Sequence, residues 1–147
     1  DRTLPERASL ATDSSLLERL SPEEAKSASE SLVVQTEPVW QRFKDEVLSG
    51  IAVADTAYLK AYRDNGYAFS FDVDRMETPC PAPALFLMGR QDDVVGYRDA
   101  WSILENYPRA TLAVLDRAGH SLQIEQADLF NALVREWLAR SMEMLNA

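Results

Sequence analysis

Cysteine is almost missing from this chain. Cys80 stands alone, so no disulfide can form within the chain, and its thiol is compatible with a reducing cytosol. Histidine is as scarce: His120 is the sole imidazole. One thiol and one imidazole cannot assemble the usual donor set of a structural zinc site. The five glycines fall at positions 50, 66, 89, 96 and 119, and no two stand four apart. That spacing excludes a Gly-x-Ser-x-Gly turn, the strained elbow that presents a nucleophilic serine. No apolar run approaches the roughly 20 residues of a membrane span, and there is no signal-peptide pattern. Positive charge is in deficit, 15 Lys and Arg against 24 Asp and Glu, for a net charge of −9. An acidic chain repels phosphate backbones and anionic bilayers. The expectation is a cytoplasmic protein with neither nucleic acid nor membrane as partner.

What is present is a globular composition. Hydrophobic residues make up 46% of 147 residues, enough for a core. The organising stretch runs from Pro83 to Glu125. Ala84–Met88 is an unbroken apolar run between Pro83 and Gly89, and Thr111–Leu115 is a second. Runs of that length between breakers read as buried strands. Tyr97, Ala100, Trp101 and Leu104 lie three and four apart between them, as on one helix face, and Pro108 ends that helix. Strand, helix, strand predicts a parallel pair joined by a right-handed crossover. Chemistry in such sheets gathers in the loops after the carboxyl ends of strands. Asp92 follows the first strand by four residues and His120 follows the second by five. A carboxylate beside an imidazole holds the ring's tautomer and lets it act as a general base.

Gly89-Arg90-Gln91-Asp92-Asp93-Val94-Val95-Gly96-Tyr97, followed by Asp116-Arg117-Ala118-Gly119-His120-Ser121 through Glu125, resembles the C-terminal part of the α/β-hydrolase superfamily. The resemblance continues into a last helix, Gln126–Leu138, with Phe130, Leu133, Val134, Trp137 and Leu138 on one face. It implies that the catalytic acid is Asp92, with Asp93 as the alternative, and that the catalytic histidine is His120. It also implies a nucleophile in the missing elbow, upstream of Asp1, together with most of the sheet. The chain opens on Asp rather than Met, which reads as a processed or excised piece. The fold class expected is α/β: the C-terminal fragment of a doubly wound α/β-hydrolase sheet, two parallel strands with flanking helices, preceded by a helical lid. Residues 1–77 are expected to be the lid and residues 78–147 the C-terminal part of the core.

The N-terminal region supports a lid. Leu16, Leu17 and Leu20 cluster at helical spacing. Ser21-Pro22-Glu23-Glu24 is a helix start with a capping box, and that helix should run to about Glu30. Leu32, Val33 and Val34 could extend it or form an irregular turn. Thr36-Glu37-Pro38 restarts a helix carrying Val39, Trp40, Phe43, Val47, Leu48 and Ile51 as an apolar stripe. Asp55 to Gly66 reads as another short helix. The stretch 67–74 is aromatic and irregular. Trp40, Phe43, Tyr58, Phe69 and Phe71 are candidates to line a substrate pocket under the lid; of these Trp40 and Phe43 read rather as lid core, and Tyr58, Phe69 and Phe71 read as either. Trp101 and Trp137 read as core. Cys80 reads as an incidental thiol and Ser121 lacks the elbow of a nucleophile. Residues 141–147 are expected to fray.

Two functions fit these residues. One is a hydrolase of small, fairly apolar esters, amides, thioesters or C–C bonds, using a Ser-His-Asp type triad and no cofactor or metal. The chain would supply His120 and Asp92 and be inactive alone. Its partners would be the small-molecule substrate and either the upstream half of the core or a second copy across the open sheet edge. The other is a non-catalytic binding or assembly module with the same fold.

Overall fold

The computed structural model describes residues 3–66, 68–72 and 74–146. In the N-terminal region the local signals are obeyed closely. Helix α1 (Ser14–Arg19) starts on Asp13, whose carboxylate accepts the Ser15 and Leu16 amides. Helix α2 (Pro22–Ser31) starts on Ser21, whose hydroxyl accepts from the Glu24 amide while the Glu24 carboxylate accepts from the Ser21 amide. Helix α3 (Glu37–Phe43) has its proline in the first turn and runs through a π-helical turn, Lys44–Leu48, into α4 (Ser49–Ala52). Helix α5 (Thr56–Asp64) is capped by Asp55 and ends before Gly66, which takes a positive φ of 73°.

This region is not wholly helical as expected. Strand β1 (Ala11–Thr12) pairs in parallel with β2 (Val34–Gln35). The Val33 carbonyl accepts the Leu10 amide at 2.9 Å, and the Gln35 side chain donates to Ser9 Oγ and to the Leu32 carbonyl. The undecided Leu32-Val33-Val34 segment therefore ends α2 and enters a strand.

The second sheet is the expected one. Strands β3 (Ala84–Gly89) and β4 (Ala110–Leu115) are parallel and in register from Ala84 opposite Ala110 to Gly89 opposite Leu115. Both strands are half-buried along most of their length rather than sealed on two faces. Helix α6 (Leu122–Glu125) leads into α7 (Ala127–Leu145). Helix α7 lies along one face, where Trp137 Nε1 donates to the Pro83 carbonyl and Arg140 donates to Thr111 Oγ1, each at 2.9 Å. The connection between β3 and β4 crosses the other face, where Phe86 meets Tyr107 edge to face.

Three expectations fail in the packing. The crossover is a 3₁₀ helix, Asp99–Asn106, tightened where the Ser102 hydroxyl donates to the Asp99 carbonyl. Three residues per turn spread its apolar side chains around the axis, and Trp101 is 71% exposed instead of core. Leu138 is exposed on α7, whose inner face is set by Trp137 and Arg140. Residues 141–145 remain helical rather than frayed, as the last full turns of α7.

The fully formed core lies elsewhere. Leu16, Ala28, Leu32, Trp40 and Phe43 from the N-terminal helices are buried together with Ile124 of α6. One apolar cluster thus anchors the short helix after His120 to the N-terminal region.

Candidate functional site

The two loops that leave β3 and β4 at their carboxyl ends are laced together by backbone. The Arg90 amide donates to the Leu115 carbonyl and the Gln91 amide to the Ala118 carbonyl, both at 2.9 Å. A β-carbon on Gly89 would overlap the Ala118 and Gly119 carbonyl oxygens. Glycine is required there because the two loops touch. The β4 loop turns sharply at Arg117, which holds a positive φ of 56°.

That contact brings Asp92 to His120. Asp92 Oδ2 lies 3.2 Å from His120 Nδ1. Asp92 Oδ1 accepts the Val94 and Val95 amides, each at 2.9 Å. Asp92 is 3% exposed. Burial pushes its carboxyl up and is the largest single influence. The two backbone amides and the His120 ring together outweigh it, so the group sits below the usual aspartate range. An ionised Asp92 fixes hydrogen on Nδ1 and leaves Nε2 to exchange a proton with another group. The His120 side chain is 56% exposed, open on the side away from Asp92. Asp93 pairs with Arg7 at 3.1 Å instead. Sequence spacing therefore named the pair, and the loops select Asp92 over Asp93 as the imidazole's partner.

An open cavity of about 200 Å³ adjoins the ring. Phe43, Val47, Ile51 and Val94 supply its apolar wall, with Ser121 beside His120. The π-helical turn matters here. It inserts a residue into the register, so that Ile51 leaves the buried stripe and reaches the cavity rim. Phe43 is the aromatic candidate that lines this wall, and the other four stand apart from it. Trp40 is taken up by the core, in contact with Phe43. Tyr58 is exposed on α5 and stacks on Tyr62. Phe69 and Phe71 are exposed and touch each other; Tyr67 and Val73 of the same stretch lie outside the described residues. Cys80 is free and lies before β3, at the opposite end of the strand from Asp92. Among the described residues no three His, Cys, Asp or Glu side chains converge as metal ligands, and no helix is long and apolar enough to cross a membrane.

Two residues of the site were not singled out by the sequence. Gln91 bridges the loops, donating to Asp116 Oδ1 at 2.9 Å and accepting the Ala118 amide at 3.2 Å. Glu125 is buried, and its carboxylate accepts the Gly119, Val33 and Val34 amides. The available signal for Glu125 was its place beside Ile124 in an apolar turn.

Comparison with known proteins bears on the fold. No protein-family model matches the chain. A 2-hydroxy-6-oxononadienedioate/2-hydroxy-6-oxononatrienedioate hydrolase of Burkholderia vietnamiensis is 36% identical over 85 residues, which are 58% of this chain and 27% of the relative. A Stutzerimonas stutzeri protein named "Putative carbamate hydrolase RutD" is 27% identical over 70 residues, 48% of this chain and 26% of the relative. An alpha/beta superfamily hydrolase of Oenococcus oeni of known crystal structure superposes with a TM-score of 0.79 at 19% identity. The superposition covers 95% of this chain and 51% of that one. The matched segments thus span about a quarter of the curated relatives, and the chain about half of the solved one. The fold is part of the α/β-hydrolase fold, carrying the two strands of its β3–β4 sheet and their flanking helices.

Proposed function

We propose that this chain carries the acid–histidine part of an α/β-hydrolase active site, with His120 as general base and Asp92 as the carboxylate that orients it. The observation that supports this most directly is the 3.2 Å contact between Asp92 Oδ2 and His120 Nδ1 at one rim of a parallel sheet. The nucleophile lies in a part of the protein outside this sequence. That part completes the sheet beside β3 and is the partner this reading calls for.

In this reading Nε2 of His120 takes the proton from a nucleophilic hydroxyl as its oxygen attacks the substrate carbonyl. The imidazolium formed is stabilised by Asp92 and gives the proton to the leaving group. Water then attacks the acyl carbon and loses a proton to the same nitrogen, and the imidazolium returns that proton to the nucleophile's oxygen as the acyl group leaves as an acid. The chemistry uses acid–base groups alone and calls for no cofactor. The cavity wall of Phe43, Val47, Ile51 and Val94 suits a small, fairly apolar ester, amide, thioester or cleavable C–C compound. Both curated relatives are named as hydrolases.

The test has two arms. In the protein that joins this sequence to a nucleophile-bearing half, His120→Ala lowers turnover of an activated ester by about 10⁴-fold or more. Unchanged turnover overturns the assignment and leaves a non-catalytic binding module as the better reading. The chain alone, given a chromogenic ester and a serine-reactive phosphonate, shows background hydrolysis and no labelling. Stoichiometric labelling of a serine within it would place the nucleophile here after all.

A further inference from the structure

His120 is held from two sides, and only one of them is Asp92. The residue before it, Gly119, donates its amide to Glu125 Oε2 at 2.6 Å. The other carboxylate oxygen, Oε1, accepts the Val33 amide at 2.5 Å and the Val34 amide at 3.1 Å. Glu125 is buried, and no cation is paired with it among the described residues. A buried carboxylate with no cation is costly unless its lone pairs are satisfied. Three backbone donors do that here, through charge-assisted bonds. They come from segments some ninety positions apart, since Val33 and Glu125 are separated by 92 residues.

The space around Gly119 shows how tightly this holds the turn. A β-carbon there would come within 2.8 Å of Val33 Cγ2. The His120 turn is thus pressed against the segment that enters β2, and the Glu125 side chain is bonded to both.

We propose that Glu125 is a positioning residue for His120: its carboxylate clamps the Gly119 amide to the Val33–Val34 backbone and so aims the ring's Nδ1 at Asp92. The proposal rests on the reading of His120 as the general base. Two chemical features give it content. A carboxylate accepts at both oxygens, whereas a carboxamide accepts at one and donates at the other end. Glu125→Gln keeps the shape but turns an N–H₂ group toward either Gly119 or the Val33–Val34 pair, where donors already point. The turn must then shift, and the ring loses its register with Asp92.

The chain has a single histidine, so its ring nitrogens can be read without assignment ambiguity. On the ¹⁵N-labelled chain, the neutral ring is expected to be mostly the Nδ1–H tautomer, set by the bond to Asp92. Asp92→Ala defines the unbonded reference spectrum. Glu125→Gln, with its fold checked by near-UV circular dichroism, is expected to lose most of the Nδ1–H population and move to that reference. A folded Glu125→Gln with wild-type ring shifts overturns the proposal, because Glu125 would then serve stability alone. Glu125→Met, which keeps the bulk and removes the charge, stands in should the glutamine variant not fold. If neither folds while Asp92→Ala does, Glu125 is a general stability element and the proposal also falls. The readout is the ring's proton and not turnover, so it succeeds or fails independently of whether the parent protein is a hydrolase.

Discussion

Gln91 and Ala118 bond to each other twice. The Gln91 amide donates to the Ala118 carbonyl at 2.9 Å, and the Ala118 amide donates to Gln91 Oε1 at 3.2 Å. One side chain thereby reproduces a strand-like bridge beyond the ends of β3 and β4, where the ladder has stopped. Asp92 follows Gln91 directly, and His120 lies two residues past Ala118. The spacing of Asp92 and His120 is inherited from this bridge.

Gln91→Ala removes the side-chain half of the bridge and the bond to Asp116. A stability loss of about 1–2 kcal/mol is expected, read from urea unfolding. The Gln91 bond is also the main reason the Asp116 carboxyl sits below its ordinary range. In the variant that carboxyl should titrate closer to an ordinary aspartate, as followed by carboxyl ¹³C shifts. An unmoved Asp116 would mean that the bond does not persist in solution.

Gly89→Ala tests the contact between the loops by sterics. The added methyl would overlap two carbonyl oxygens of backbone, which cannot swing aside as a side chain can. About 3 kcal/mol of destabilisation is expected. By contrast, a β-carbon on Gly50 meets nothing within 4 Å, and Gly50→Ala in the helix interior should be neutral or slightly stabilising. Equal effects of the two substitutions would contradict the close approach at Gly89.

Asp92 gives the fold an acid-sensitive element. Its folded carboxyl releases its proton at lower pH than in the unfolded chain, where aspartate titrates near about 3.9. Between the two values the unfolded state binds more protons, so stability falls as pH falls. The contribution is complete above the unfolded value and drains away as pH drops through the folded one. Asp92→Asn should remove this part of the pH dependence below about pH 5 while leaving the rest, which comes from exposed pairs such as Glu24 with Lys44. Parallel stability curves for the two proteins would show that Asp92 does not contribute.

Much of this arrangement was legible in the sequence because it depends on local punctuation. Pro83 and Gly89 bound one strand, Ser21 and Glu24 cap a helix, and Asp92 and His120 each follow a strand by a few residues. What escaped depends on contacts between distant segments. Strands β1 and β2 have two residues each, too few for periodicity to register. Nothing local to Glu125 tells what its carboxylate binds, because Val33 and Val34 arrive from 92 and 91 residues away. Of the aromatics considered for the cavity wall only Phe43 lines it; Val47, Ile51 and Val94 supply the rest, and Ile51 reaches it past a π-helical turn that breaks the regular helical register.

The half-built sheet predicts association. Among the described residues β3 pairs only with β4, so one β3 edge presents unpaired backbone groups, a template for another strand. Beside the sheet, Trp101, Leu112, Val114 and Tyr97 line an open groove of about 450 Å³, and Trp101 and Val114 are exposed. Apolar surface of this kind favours burial against a partner. The net charge of −9 opposes it, because two copies repel until salt screens them over about 10 Å at 0.1 M. The two tendencies separate experimentally. Light scattering of the chain alone should show dimers or larger species at micromolar concentration, and more of them as salt rises from about 0.01 M to 0.5 M. Trp101→Glu adds charge to the groove and should return the chain toward monomer, most strongly at low salt. If the variant leaves association unchanged, the β3 edge alone drives it. A monomer at every salt concentration would mean that neither the edge nor the groove is available in solution.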